Sequence, residues 1–318
     1  MLSQLHSDAQ RIIAAVSAQP VIEISEVAAG VMTFKYFVKT ATGDRYVVRF
    51  YPHTRKRVVA YEPDLIRRCR EGGMRVPEVV TTSATGPAGA LEYMAYRMVP
   101  GESLELRLSF LNQQSLNRIC RNLMKELLLL KEIEIEDFGE LVSDKRAGSP
   151  SWLSFMTQTF TEGIRSARSQ NLLPSALIND IDFVRSNLNK FYYIGRPTLC
   201  WGDISPQNII VDGNEFVGLI DFEGVLSAEF DLSFGYLRAR YAGTGFYSTF
   251  ADHWPGGKDH ATSARAALFV LVRALRLLSH GREPLPTGIP REPLNTFLPG
   301  LEDAIYETHK CILSPYEG

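Results

Sequence analysis

Leu199-Cys200-Trp201-Gly202-Asp203-Ile204-Ser205-Pro206-Gln207-Asn208 runs into Ile209-Ile210-Val211-Asp212-Gly213-Asn214, and beyond Glu215 lies Phe216-Val217-Gly218-Leu219-Ile220-Asp221-Phe222-Glu223. The order is loop, strand, tight turn, strand, then an acid. Asp212-Gly213-Asn214 between two short apolar runs is hairpin chemistry, because Gly and Asn accept the positive φ that the favoured two-residue turns require. A hairpin returns the chain to its starting point. Asp203 and Asn208 lie just before its first strand and Asp221 just after its second, so the three are expected to share one small volume. Two carboxylates and an amide oxygen are hard ligands of the kind Mg2+ takes beside phosphate oxygens. A surface hairpin with ordinary turn acids would use the same residue types, and Asp212 reads as one of those.

Asp-x-x-x-x-Asn, a short hairpin and then Asp is similar to the catalytic loop and metal-binding acid of kinase-fold phosphotransferases. Gly202-Asp203-Ile204-Ser205-Pro206-Gln207-Asn208 with Gly218-Leu219-Ile220-Asp221-Phe222-Glu223 resembles the aminoglycoside phosphotransferase / choline kinase-like family. It differs from eukaryotic protein kinases, which have Asp-Phe-Gly where this chain has Asp221-Phe222-Glu223. Trp201 stands where the family usually has a loop-supporting His; Trp can pack there but offers only an N–H donor. The resemblance implies an α+β, two-lobed, protein-kinase-like fold. Residues 1–98 would form a small antiparallel-sheet lobe with one helix that binds nucleotide, and residues 99–318 a larger, mainly helical lobe for catalysis and acceptor binding. ATP or GTP would be the phosphoryl donor. Asp203 would orient or deprotonate the acceptor hydroxyl, and Asn208 and Asp221 would hold Mg2+ on the phosphates.

The N-terminal stretch suits that small lobe. Residues 21–27, 33–40 and 45–51 read as strands, with Phe34, Tyr36 and Val38 on one face of the second. Gly30 lies in the first turn, at the position of a phosphate-contacting loop, although one glycine makes neither a GxGxxG nor a Walker loop. Arg49 occupies the strand position of the family's phosphate-contacting cation. It shares a strand face with Val47, where a charge must be either solvated or paired. Glu62 is its candidate partner, but Pro63 belongs in a first helical turn, so Glu62 could equally be an acid complementing a helix dipole. The segment Leu91 to Met98 ends at a breaker, Val99-Pro100-Gly101, where the resemblance implies that the backbone of Arg97 and Val99 bonds the nucleotide base.

Further along, residues 4–18, 113–134, 152–166, 175–190, 261–280 and 301–310 read as helices, with Leu116, Ile119, Leu123, Leu127 and Leu130 as the inner stripe of the second. Asp231 matches by type an acid that opens a helix and braces the catalytic loop in the resembled family. The 318 residues carry a net charge of −2 without basic blocks, so nucleic acid is not an expected partner. Four scattered cysteines without a CxxC pair, and no apolar run long enough to span a bilayer, lead to the expectation of a reduced, cytoplasmic protein without a membrane partner.

The resemblance implies a hydroxylated small molecule as acceptor, aminoglycoside-like. A polycation would need acids, and Glu223, Glu229, Asp252, Asp259, Glu302 and Asp303 are candidates; choline would need an aromatic cage, for which Trp201, Tyr236, Tyr241, Phe246 and Tyr247 are at hand. A sugar or amino-alcohol kinase and a non-catalytic nucleotide-binding module are the alternatives.

Overall fold

A computed structural model describes residues 2–27, 32–191, 193, 195–256, 260–280 and 298–313. The chain opens with helix α1 (Leu2–Ser17), followed by strands β1 (Val21–Glu26), β2 (Phe34–Thr40) and β3 (Arg45–Tyr51). A short helix α2 (Lys56–Val59) and helix α3 (Glu62–Glu71) precede β4 (Val79–Thr82) and β5 (Glu92–Arg97). The five strands form one antiparallel sheet in the order β1-β2-β3-β5-β4. Alternation decides its two faces. Tyr36, Val38, Tyr46, Val48 and Phe50 pack under Leu5, Ala9, Ile12 and Ile13 of α1. The opposite face of β3 sends Val47 and Tyr51 into a second core shared with Leu65, Ile66 and Cys69 of α3. Val16 has the spacing of the α1 stripe but is exposed, because the helix ends one residue later.

The rest begins with β6 (Glu102–Ser103) and α4 (Leu104–Arg107), then the long α5 (Gln113–Glu132), β7 (Phe138–Leu141) and β8 (Ala147–Ser149). Helices α6 (Trp152–Ser169) and α7 (Ser175–Ser186) lead to β9 (Thr198–Trp201), β10 (Ile209–Asp212), β11 (Glu215–Leu219) and β12 (Val225–Ala228). Helices α8 (Asp231–Tyr241), α9 (Gly245–Ala251), α10 (His260–His280) and α11 (Leu298–Leu313) complete it. All five expected residues of the α5 stripe are buried. The apolar α10 packs against α6, α8 and α11, which explains why it is hydrophobic on more than one side. Two small antiparallel sheets, β11-β10-β6 and β8-β7-β12-β9, frame the catalytic-loop segment.

Several local features differ from expectation, among them the short strands β6 to β9 and helix α9, which have no expected counterpart. Strand β12 has no counterpart among the expected strands: its four residues are all buried, so it has no polar alternation to read. Helix α11 begins before Pro299-Gly300, with Pro299 in the first turn, where its missing N–H costs nothing. No helix among the described residues is long and apolar enough to cross a membrane.

Candidate active site

The hairpin forms as its turn residues require. Ile209 pairs with Leu219 and Asp212 with Glu215, and Gly213 takes φ 57° between them. At its open end the N–H of Ile220 donates to the carbonyl of Asn208 at 3.0 Å, closing the two outer ends on each other. Asn208 donates Nδ2 to Asp203 Oδ2 at 3.0 Å and to the Asp203 carbonyl at 3.2 Å. Ahead of them, the N–H of Gly202 donates to the carbonyl of Gly224 at 3.1 Å. A Cβ on residue 202 would come within 2.6 Å of that carbonyl, so only glycine permits this approach.

Trp201 is fully buried and stacks on Phe222, and its Nε1 donates to the carbonyl of Asp221 at 3.1 Å. Its one donor is thus spent on the backbone of the metal-position acid. Asp221 has φ +69°, a left-handed conformation that costs a non-glycine residue energy. The indole N–H thus bonds the carbonyl of a residue in a strained conformation.

From β3, Arg49 reaches the same acid. It is buried and donates Nε to Thr33 Oγ1 at 2.9 Å, Nη1 to Glu62 Oε1 at 2.9 Å and Nη2 to Asp221 Oδ1 at 3.1 Å; Glu223 Oε2 lies 2.8 Å from Nη2. Glu62 is the first residue of α3, with Pro63 behind it, so it is both a first-turn acid and the partner of Arg49. Its carboxylate also accepts from Tyr51 Oη at 2.7 Å and from the N–H of Phe222 at 3.0 Å, joining the sheet, α3 and the end of the hairpin. Lys35, paired with Arg49 across β2 and β3, brings Nζ to 3.4 Å from Asp221 Oδ2.

Burial pushes the Asp221 pKa up, but Arg49 and Lys35 overcome this and hold it at about 2. Burial raises Glu223, against the pull of Arg49 and with the help of Asp221 and Glu62. Burial also opposes the Arg49 charge, yet the three carboxylates raise its pKa well above the ordinary value.

The Asp203 end differs. Its side chain keeps 41% of its surface open, so a partner can reach it. The surrounding protein, and then the Asp221 carboxylate, raise its pKa against the pull of Arg240 and Arg273. Arg240, from α8, sets Nη1 3.3 Å from Asp203 Oδ1. Arg273, from α10, donates Nη1 to the carbonyl of Gly202 at 3.2 Å. Asp231 opens α8, but its carboxylate accepts from Trp254 Nε1 at 2.9 Å; side-chain bonds to the backbone of the Asp203 loop come from Arg273 and from Ser103, whose Oγ donates to the Pro206 carbonyl.

The structure therefore brings Asp203, Asn208, Asp221, Arg49 and Glu62 into one network. Gly30 lies outside the described residues. The N–H of Arg97 donates to the Glu78 carbonyl at 2.9 Å, leaving its carbonyl rather than its N–H for a base, and Val99 follows where the strand has ended. The acids expected to receive a polycation lie elsewhere. Glu223 is on Arg49, Glu229 is buried against Arg265, Asp252, Glu302 and Asp303 are exposed, and Asp259 is outside the described residues. The expected aromatic cage does not assemble either: Trp201 and Phe246 are core residues, Tyr247 stacks on Phe234, and Tyr241 shares a hydrogen bond with Ser205.

Lys35, Arg240 and Arg273 join the site without having been assigned to it by sequence reasoning, and Glu223, expected as an acceptor acid, joins it on Arg49 instead. Lys35 had a signal: with Phe34, Tyr36 and Val38 assigned to one face, Lys35 falls on the face of Arg49. The two arginines had none.

The donor set suits Mg2+. With Nδ2 turned to Asp203, the Asn208 side chain leaves Oδ1 as an oxygen donor, and Asp221 is kept ionised. Among the described residues no three His, Cys, Asp or Glu converge as a metal site alone, so any such ion would complete its shell with other oxygens, from phosphates or water.

Over nearly the whole chain the fold is similar to that of solved aminoglycoside phosphotransferases. A thermostable mutant of APH(4)-Ia, in a ternary complex with ADP and hygromycin B, superposes with a TM-score of 0.70 at 11% identity, covering 99% of this chain and 100% of that one. ADP-bound APH(2'')-Ib gives 0.63 at 16% identity, with 92% and 95% covered. APH(2")-IIa, in a ternary complex with streptomycin and ATP, gives 0.65 at 15% identity, with 98% of each chain covered. At these identities the likeness establishes the fold. No curated protein is similar enough to match. The sequence pattern of the phosphotransferase enzyme family, however, spans residues 23–268, and the chain belongs to that family.

Proposed function

We propose that this protein transfers the γ-phosphate of ATP or GTP to a hydroxyl of a small molecule, with residues 1–98 gripping the nucleotide and residues 99–318 supplying the acceptor site and the base. The observation that supports this most is the division of labour at the two ends of one hairpin. Asp221 is locked to Arg49 and Lys35, while Asp203 stays reachable with a raised pKa. The first suits phosphate and metal, the second a proton. Hygromycin B and streptomycin in complexes of structural relatives make an aminoglycoside-like molecule the first candidate to test, although two of the acids it would need, Glu223 and Glu229, are engaged by arginines.

In this reading Arg49 and Lys35 hold phosphate oxygens, and Glu62 fixes the direction of the Arg49 fork through its three donors. The carbonyl of Arg97 and the backbone of Val99 meet the base, and Gly30 lies near the phosphates. Asn208 and Asp221 would hold Mg2+, which when bound neutralises charge on the phosphates. Asp203 orients the acceptor hydroxyl and takes its proton as the hydroxyl oxygen bonds to the γ-phosphorus. The bond from that phosphorus to the bridging oxygen breaks, and the nucleoside diphosphate leaves with the electron pair. Positioning and charge do most of the work.

The test is single-turnover transfer from γ-labelled ATP and GTP to a panel of aminoglycosides, sugars, amino alcohols and hydroxy acids. Transfer should fall as the pH drops through the raised Asp203 pKa, because only the ionised carboxylate accepts the proton. Tight nucleotide binding with no transfer to any acceptor would leave a non-catalytic nucleotide-binding module.

A further inference from the structure

An acceptor whose hydroxyl meets Asp203 must set its other groups against the side chains around that acid. Two guanidinium groups attend this one carboxylate. Arg240 touches it directly, and Arg273 bonds the carbonyl of the preceding residue, Gly202. Arg273 lies over the ring of Tyr236, 5.4 Å from its centroid, and the face of that ring fixes where the guanidinium sits. The Nε of Arg273 and the hydroxyl of Tyr236 are both buried without a hydrogen-bond partner. Among the described residues no carboxylate forms an ion pair with Arg273. Burial lowers its pKa, Arg240 adds to that, and Asp203 and Tyr236 oppose it.

A half-buried arginine whose Nε is buried without a partner, with no ion pair of its own and a second arginine beside it, is costly unless an anion joins them. Asp203 cannot serve both if one of its oxygens is to receive a proton from the acceptor. A cationic amine on the acceptor would face two like charges. At about 6 Å and an effective dielectric constant near 20, one such charge pair changes affinity on the order of a hundredfold. Of the acids nearby, Glu223 is held by Arg49 and Glu229 by Arg265, and Glu105 is turned to the Gln207 amide.

We propose, on the reading that Asp203 receives the acceptor hydroxyl, that Arg240 and Arg273 form an anion subsite beside it, so that the acceptor is a hydroxylated small molecule bearing a carboxylate or phosphate near the reacting hydroxyl, and not a polycation. Arg240 faces the open side of Asp203 and reaches the anionic group first. Arg273 supplies the second, more buried contact and holds the loop through Gly202.

The experiment uses two matched series, glycerol with glycerate and glycerol 3-phosphate, and glucose with gluconate and glucose 6-phosphate, with streptomycin as the polycation. Binding is measured by calorimetry on the full chain loaded with a non-hydrolysable ATP or GTP analogue and Mg2+, and transfer by single turnover with the matching triphosphate. An anionic member should bind at least tenfold better than its neutral parent, and a carboxylate winning over a phosphate, or the reverse, names the source. Arg240→Gln and Arg273→Gln should erase that preference mainly through affinity or KM rather than kcat, and Arg240→Lys should restore part of it. Thermal melting identifies a variant that merely fails to fold, and Arg240→Lys keeps the test open in that case. No preference for an anion in either series, or tighter binding of streptomycin, overturns the subsite. So does an equal loss of nucleotide affinity in the glutamine variants without acceptor, which would assign both cations to the nucleotide phosphates. Anion-selective binding with no transfer keeps the subsite and overturns the kinase reading, so the two fail separately.

Discussion

At the Asp221 end of the hairpin, carboxylates outnumber cations: Asp221, Glu62 and Glu223 surround Arg49, with Lys35 on the rim. At the Asp203 end cations outnumber carboxylates, with Arg240 and Arg273 about a single acid. The first cluster is almost closed to solvent and nearly every polar atom in it has a partner. The second is partly open and retains unpartnered polar atoms. Two acids of one motif thus sit in opposite fields, and under the proposed function they would handle different charges: metal and phosphate at one, the acceptor at the other.

The largest effect expected from breaking this contrast comes from Arg49→Ala. It strands the buried Glu62 carboxylate and takes a partner from the half-buried Asp221 and Glu223, and removal of one partner from a buried ion pair costs about 3–5 kcal/mol. Urea unfolding should show that loss, and calorimetry a parallel loss of nucleotide affinity. Unchanged stability and affinity would remove Arg49 from the phosphate grip.

The next effect separates the two acids. Asp203→Asn should keep Mg2+-nucleotide binding, or strengthen it slightly by removing a negative charge that faces the phosphates. Transfer should fall about a hundredfold or more, the scale of a positioned base. Asp221→Asn should lose both, since its carboxylate is the one joined to Arg49 and Lys35. Equal damage to nucleotide binding in both variants would erase the contrast.

A smaller effect concerns pH. Glu229 is buried against Arg265, and burial raises its pKa to about 7 from an ordinary 4.5. The folded chain then binds more protons than the unfolded chain between those values. The contribution is full below the unfolded pKa and is lost as pH rises through about 7. Glu223, raised in the same direction, adds to the descent. Asp221, lowered, acts oppositely and only in strong acid. Stability should fall by about 1–3 kcal/mol from pH 5 to pH 8. Glu229→Gln should flatten the part that Glu229 supplies, read from chemical unfolding at each pH. A slope identical to the parent's would show that Glu229 titrates normally.

The smallest effect is Trp201→Phe. It preserves stacking on Phe222 but removes the donor to the Asp221 carbonyl, a hydrogen bond worth about 1 kcal/mol. If that bond holds Asp221 in its left-handed conformation, nucleotide affinity should drop severalfold while the Asp203-dependent step changes less. An equal change in both would mean that Trp201 supports the loop as a whole.

The hairpin was legible because everything that specifies it is local. Gly213 supplies the turn, the apolar runs supply the strands, and the ends must meet. Arg49 and Glu62 were half legible: alternation put a charge on a buried face, and only the fold could name the acid that answers it. Both alternatives for Glu62 proved compatible, since a first-turn acid can also turn inward to an arginine. The acids and aromatics proposed for the acceptor were not separable by sequence, because residue type does not say whether Glu229 faces a pocket or a buried arginine.

By itself, then, the sequence determined the hairpin with its two polar ends, the antiparallel strands around Arg49 and the family, since each rests on spacing and periodicity within short stretches. Only the tertiary structure decided the charge around Asp203. Arg240 and Arg273 lie on α8 and α10, far along the chain, and nothing in their local pattern points to the catalytic loop. Long flexible side chains from separate helices converge there because helix packing brings them together, and that convergence sets the field an acceptor would meet.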